Sequence, residues 1–205
     1  MNRKFIVLFL VVAALFSACK KEDFAYEDAF NRSYKTWLDF KASSGDNYRY
    51  VVTGATWAGS AWETTITVKS GVVTRRDFRY TRFNDVWRPE TGWTLNEVDE
   101  ILVAFEKSAH ALTEQEKDSF LAQLEWSETE EELDADAHAQ SPAGALLTLD
   151  DIYDTARTVW LENRSDATVS FDAKNNGMLS SAGFVPDNCA DDCFSGINIQ
   201  SIEAI

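Results

Sequence analysis

Half of the chain's ten arginines lie in one short stretch and are interleaved with aromatic residues. Guanidinium groups donate paired hydrogen bonds to anions, and the rings between them offer stacking surfaces. We therefore predict an anion- or carbohydrate-binding face with Arg75, Arg79, Tyr80 and Trp87 as its candidate ligand-binding residues. The alternative is that the arginines pair across strands with Glu63 and with the acidic segments that follow, and the pattern favours this structural role.

A second polar stretch, near the C-terminus, has the composition of a cation-binding loop. Asp187, Asp191 and Asp192 lie within six positions, and hard cations such as calcium prefer carboxylate oxygens as ligands. A solvated turn accounts for the same residues without an ion. We favour the turn, so the sequence assigns no metal site.

The residues for catalysis do not form a recognisable pattern. His110 and His138 are the two histidines, and they lie in different segments. The sequence has no His-Glu-x-x-His helix, no Gly-x-Ser-x-Gly turn and no phosphate-binding glycine loop. We therefore predict a binding or structural module with no cofactor and no catalytic residue. The alternative is a cell-surface hydrolase that acts on glycans through paired carboxylates, because two acidic residues suffice for glycoside hydrolysis.

The N-terminus has the layout of a secretory signal. A short positive start precedes twelve apolar residues, 5–16, and about 20 are needed to span a bilayer core as a helix. The residues that follow resemble the lipobox of bacterial lipoproteins, with phenylalanine where leucine is usual: Leu15, Phe16, Ser17, Ala18 and Cys19. The resemblance implies that residues 1–18 are a signal peptide and that Cys19 is acylated and held in a membrane.

Residues 19–24 form the predicted tether between lipid and domain. Position 20 is a lysine, whereas an aspartate at this position retains some lipoproteins at the inner membrane. A lysine followed by acidic residues resembles the surface-export signal of some Gram-negative lipoproteins. The resemblance implies a lipid anchor in the outer membrane, with the domain facing either the periplasm or the cell surface. A plain solvated tether is the alternative account of these charges.

Charge and cysteine content limit the partners. The net charge of −15 would repel nucleic acid phosphates, so we predict no nucleic acid partner and keep a glycan or a protein as the ligand. With Cys19 acylated, Cys189 and Cys193 are left as a pair in an oxidising compartment. We predict a structural disulfide between them, because Asp191 and Asp192 oppose the low thiol pKa of a redox-active pair.

Two parts of the chain show the same order of predicted elements. In residues 25–83 an amphipathic helix over 25–42 precedes three alternating strands, and in residues 148–205 a helix over 149–163 precedes three more. The apolar parity of the last strand changes after Ile199, which predicts a bulge. The inward-facing residues predicted for the two helices are Tyr26, Phe30, Tyr34, Trp37 and Leu38, and Leu149, Ile152, Ala156, Val159 and Trp160.

Residues 84–147 interrupt this repeat. Thr94 and Thr113 each begin a capping box and predict two helices, and residues 127–142 form an acidic stretch that we predict to be a solvated, mobile linker. Together the elements predict one α+β domain over residues 25–205. Its antiparallel sheet carries helices packed on one face, in a duplicated α-β-β-β layout with a helical insertion at about 84–147.

Several short segments also resemble, in order, a family of small bacterial lipoprotein domains catalogued as uncharacterised. They are residues 48–50, the Lys69-Ser70-Gly71 hairpin, residues 149–153 and residues 169–172. The family has no assigned chemistry, so the resemblance implies a fold and a lipid anchor but no catalytic residue.

Overall fold

The computed structural model of the protein describes residues 23–104, 112–135 and 137–205. The predicted signal peptide, Cys19 and His110 lie outside the described residues, so the signal peptide and the anchor stay predictions. Within those ranges, none of the helices combines the length and the apolar character that a membrane-spanning helix requires.

One antiparallel sheet organises the described residues. Its strand order is β4-β3-β2-β1-β8-β7-β6, and β5 pairs with β3 beside β4. The predicted α+β fold is confirmed. The strands are β1 Tyr48–Ala55, β2 Ala61–Lys69, β3 Val72–Phe83, β4 Val86–Trp87, β5 Glu125–Thr129, β6 Ala167–Asp172, β7 Ser181–Pro186 and β8 Ser195–Ala204. The helices are α1 Glu27–Ser44, α2 Leu95–Ala104, α3 Glu114–Leu124 and α4 Leu149–Thr155, with a 3-10 turn at Leu133–Ala135 and a π-helical turn at Ala156–Trp160.

The two α-β-β-β parts meet along a single pair of strands. β1, the first strand of one part, pairs antiparallel with β8, the last strand of the other. The sheet therefore has three strands of each part side by side, joined at a central seam. We refer to this β1–β8 contact as the seam.

The main hydrophobic core lies between the sheet and the helices α1 and α4. Trp37 of α1 and Ile152 of α4 are fully buried there, against Tyr48 and Ile66 of the sheet. Burial of such side chains removes apolar area from water, the dominant favourable term in folding. The polar edge of this core is satisfied, because the Tyr153 hydroxyl lies 2.8 Å from the Ser33 hydroxyl and accepts from the Leu179 N–H at 2.9 Å.

Three residues predicted to face inward on these helices are exposed instead: Tyr26, Leu38 and Val159. Tyr26 precedes α1 in the left-handed region at φ 63°, so it lies off the helical face. After Ala156 the chain widens into the π-helical turn, which rotates Val159 away from the core relative to a regular helix. Leu38 lies at the edge of the helix face that buries Phe30, Ser33 and Trp37. Periodicity at 3.6 residues per turn does not distinguish these three positions from buried ones.

The first residues of the acidic stretch, 127–129, were wrongly predicted to be part of a solvated, mobile linker. Residues 125–129 form β5, which pairs with residues 75–79 of β3. Glu128 is 2% exposed and accepts from the Arg76 Nε at 2.7 Å. Alternation buries Trp126 and Glu128, and the arginine compensates the buried carboxylate, which charge counting along the sequence does not reveal.

Candidate functional site

The seam is closed along half of its length and open along the other half. β1 and β8 pair from Tyr48↔Ala204 to Val52↔Ile199, and the register shifts by one residue at Gln200. The bulge predicted after Ile199 is therefore confirmed. Beyond it no strand pairing joins β1 to β8, and this half of the seam is the open seam.

Both strands continue past the bulge with their outer partners. β1 stays paired with β2 as far as Ala55↔Ala61, while β8 is paired with β7 from Phe184↔Ser195 to Ser181↔Asn198. A groove of about 530 Å³ lies between the two separated strand edges. Its lining includes residues 52–56 of one edge and residues 196–198 of the other.

An aromatic side chain forms part of the groove floor. Trp62 of β2 lies directly opposite Gly54 of β1, and its indole occupies the space that a Cβ atom at position 54 would need. Tyr80 of β3 supports the other side of the indole, with ring centroids 6.1 Å apart and an edge-to-face orientation. Glycine at position 54 thus lets the indole lie across the strand.

One wall of the groove is residues 142–147, which the sheet fixes by hydrogen bonds. The Gly144 N–H donates to the Thr64 hydroxyl at 2.9 Å, and Thr64 is fully buried. The Tyr50 hydroxyl donates to the Leu147 carbonyl, and burial raises the pKa of this phenol well above its ordinary value. These bonds hold the wall in place without closing the groove.

The opposite wall comes from the cysteine loop and the π-helical turn. Cys189 and Cys193 lie at disulfide distance, with Cα atoms 6.2 Å apart, within the range a bridge requires. The loop between the two cysteines contributes Asp192 to the groove, Phe194 follows the loop directly, and Trp160 of the π-helical turn also lines the groove. The Asp192 carboxylate accepts from the Trp57 N–H at 3.2 Å, which ties the loop to the end of β1.

The groove has the chemistry of a binding site. Its lining combines three aromatic rings, the backbone of two strand edges and, among the described residues, one carboxylate, Asp192. The described lining residues contain no histidine, lysine or cysteine that would make a nucleophile with a base. No group of three or more metal-ligating side chains occurs among the described residues either.

The residues of the predicted arginine face do not line the groove. Arg75 and Arg79 point to the sheet face away from the main core, and the bulge at Thr81 brings Arg82 and its partner Trp87 to that same face. Tyr80 lies on the opposite face, so the four candidate residues do not form one site.

The arginines on that face already have partners. Arg79 donates to Glu63 at 2.7 Å and Arg75 donates to Asp77 at 2.8 Å, while Arg82 lies over the Trp87 ring at 5.1 Å. The pairing with Glu63 is the structural alternative that the sequence favoured. Ligand binding by Arg75, Arg79, Tyr80 and Trp87 stays a prediction.

A second hollow, of about 480 Å³, lies against the other side of Tyr80. His138 covers it by stacking on Trp126, with ring centroids 3.8 Å apart and planes 4° apart. Arg76 lies at 5.1 Å from the same indole. This hollow has packed aromatic walls and lacks the open strand edges of the groove.

Sequence reasoning missed the residues that form the groove: Gly54, Trp62, Trp160, Phe194 and Gly196. Both glycines adjoin predicted strands and lie inside the strands of the structure, and glycine within a strand marks a place where a backbone or ring approaches closely. Together with the predicted bulge, they are the signal that the sequence does contain.

Comparisons with protein-family models, with curated protein sequences and with solved structures return no match. The geometry of the groove is therefore the feature from which a function is inferred.

Proposed function

We propose that this protein is a lipoprotein of the outer membrane, anchored through Cys19, and that its folded part is a binding module whose ligand occupies the groove. The observation that carries the proposal is the open seam, where aromatic rings and unpaired strand edges line one volume. A volume of about 530 Å³ lies in the range of known ligand sites, which combine apolar walls with a few polar groups.

The position of residues 23–25, which follow the predicted anchor, supports this proposal. The Ala25 N–H donates to the Leu161 carbonyl at 2.8 Å, and the Asn163 amide donates to the Asp23 carbonyl at 3.2 Å. Trp160 of the groove wall directly precedes Leu161. Residues 23 and 24 of the predicted tether thus contact the domain. The remaining residues, 19–22, would leave the domain close to the groove and span at most roughly 14 Å, so the groove would lie on the membrane-proximal part of the domain.

The binding test uses the full-length protein in non-ionic detergent, screened against a glycan panel and a peptide panel. For a ligand found there, Phe194→Ala should weaken binding by about tenfold, a loss of about 1.4 kcal/mol. Trp87→Ala is the matched control, since Trp87 is an exposed aromatic residue outside the groove. No binding in either panel, or loss of binding in Trp87→Ala alone, would contradict the proposal.

The anchor is tested separately. Cys19→Ser should move the protein from the membrane fraction to the soluble fraction, and intact-mass analysis of the unchanged protein should show an acylated N-terminal cysteine. A protein that stays in the membrane fraction after Cys19→Ser is not anchored in this way.

A further inference from the structure

We propose that the ligand of the groove is a peptide segment in extended conformation, carrying lysine or arginine, that adds a strand to the open seam. This inference rests on the proposed function, because it names the ligand class of the same groove. It follows from the direction of backbone groups along the two separated edges.

The backbone of Ala55 points into the groove. The Thr56 N–H donates to the Ser60 carbonyl at 2.8 Å, so Thr56 is directed towards β2. Successive residues of a strand direct their N–H and C=O groups to alternate sides. Ala55 therefore directs both groups away from β2, towards β8, with which it has no pairing.

The backbone of Gly196 points into the groove from the other edge. The Ile199 N–H donates to the Ser180 carbonyl at 2.8 Å, so Ile199 is directed towards β7. By the same alternation Gly196 is directed towards β1. A side chain at position 196 would overlap the Ala182 carbonyl and the Phe194 ring, so glycine is required for this approach of β7 and β8.

Two such edges facing one groove are complementary to a polypeptide backbone. A strand offers N–H and C=O groups on both of its sides and pairs with a neighbouring strand about 4.7–4.9 Å away. Addition of a strand to an open edge is a recurrent mode of peptide binding. Since β1 and β8 run antiparallel, the added strand would run antiparallel to one and parallel to the other. The open stretch of residues 53–56 accommodates about four peptide residues at about 3.3 Å each.

Side-chain positions and charge define the peptide further. Alternate residues of the added strand would face the helix-covered side, against Trp62 and Trp160, which suits apolar side chains. The residues between them would face Phe194, whose ring lies over Gly183 and Gly196 on the opposite face of the sheet. Asp192 is a carboxylate in the described groove lining, and the whole chain carries −15. Lysine or arginine between the apolar residues would match this charge.

The probe is a fluorescein-labelled hexapeptide of alternating valine and lysine, titrated against the full-length protein in non-ionic detergent by fluorescence anisotropy. Two matched probes have the same side chains but carry N-methyl groups on alternate backbone amides, the odd-numbered amides in one and the even-numbered amides in the other. Each of these two phases removes the N–H donors along one side of the extended peptide. We expect the unmodified peptide to bind and at least one N-methylated phase to lose about tenfold or more in affinity. Equal binding of all three peptides would overturn the proposal.

A protein variant tests the same edge. Ala55→Pro removes the N–H that faces the groove and none that faces β2, the orientation in which strands tolerate proline. We expect it to weaken peptide binding about tenfold, whereas Ala55→Ser, which keeps the N–H, should bind as the unchanged protein does. If Ala55→Pro does not fold by circular dichroism, the N-methylated peptides still decide the matter.

A hexasaccharide of β-1,4-linked glucose separates this inference from the proposed function. Binding of the sugar, lost in Phe194→Ala, with no binding of the peptide would overturn the peptide ligand and leave the groove as a binding site. Peptide binding that is unchanged in both Phe194→Ala and Ala55→Pro would overturn the groove as the site.

Discussion

The two halves of the seam belong to the same pair of strands and differ in what their side chains do. In the closed half, Tyr48 and Tyr50 of β1 are buried, and Ile202 of β8 lies opposite Tyr50. In the open half the corresponding position of β1 is a glycine, Gly54, while Ile197 of β8 still packs against the main core. Strand pairing thus persists where large side chains on both strands share a core, and it ends where they do not.

The hydroxyl groups of the closed half explain why the difference is sharp. The Tyr48 hydroxyl accepts from the Leu149 N–H at 2.9 Å, at the start of α4, and the Tyr50 hydroxyl donates to the Leu147 carbonyl. The groove wall, residues 142–147, is the segment that directly precedes α4 in the chain. The closed half therefore holds one wall of the open half in place through these two hydrogen bonds.

The largest expected effect is on the closed half. Tyr50→Ala should lower the free energy of unfolding by about 3–5 kcal/mol, because Tyr50 is almost fully buried and its removal leaves a cavity. Trp57→Ala, at the end of the open half and 77% exposed, should change it by less than about 0.5 kcal/mol. Urea denaturation measures both, and similar losses in the two variants would contradict the contrast.

An intermediate effect concerns alkaline pH. Burial raises the pKa of Tyr48 and Tyr50, so the folded state keeps protons that the unfolded state loses above about pH 10. Stability should be unaffected by these groups below that pH and should fall above it, by about 1.4 kcal/mol per pH unit for each tyrosine.

Denaturation at several pH values between 8 and 11 tests this dependence. Tyr48→Phe should reduce the slope without abolishing it, because burial raises the pKa of Tyr80 and Tyr153 as well. A slope identical to that of the unchanged protein would show that Tyr48 does not contribute.

The smallest expected effect is on the cysteine loop of the open half. Replacing Cys189 and Cys193 by serine should lower the free energy of unfolding by about 1–2 kcal/mol, since the closed loop is short. The fold should survive, while the wall that presents Asp192 and Phe194 loosens and ligand affinity falls. Thiol labelling of denatured, unreduced protein is the direct check: no labelled cysteine indicates a bond, and two labelled cysteines disprove it.

Local signals in the sequence determined most of the elements. The Thr113 capping box begins α3 as predicted, and a capping box at Thr148 likewise begins α4, because a cap is satisfied by residues three positions away. Gly45 ends α1 in the left-handed region at φ 61°, and the parity change after Ile199 marks the bulge. Each of these depends on contacts within a few residues, which a sequence displays directly.

Tertiary structure alone decided which edges meet and where they part. The pairing of β1 with β8 joins residues about 150 positions apart, and β5 forms only because β3 offers it an edge and Arg76 neutralises Glu128. The groove needs Trp62, Trp160 and Phe194 from three separate segments. Such contacts depend on how the elements pack in space, and periodicity along the chain contains no record of that packing.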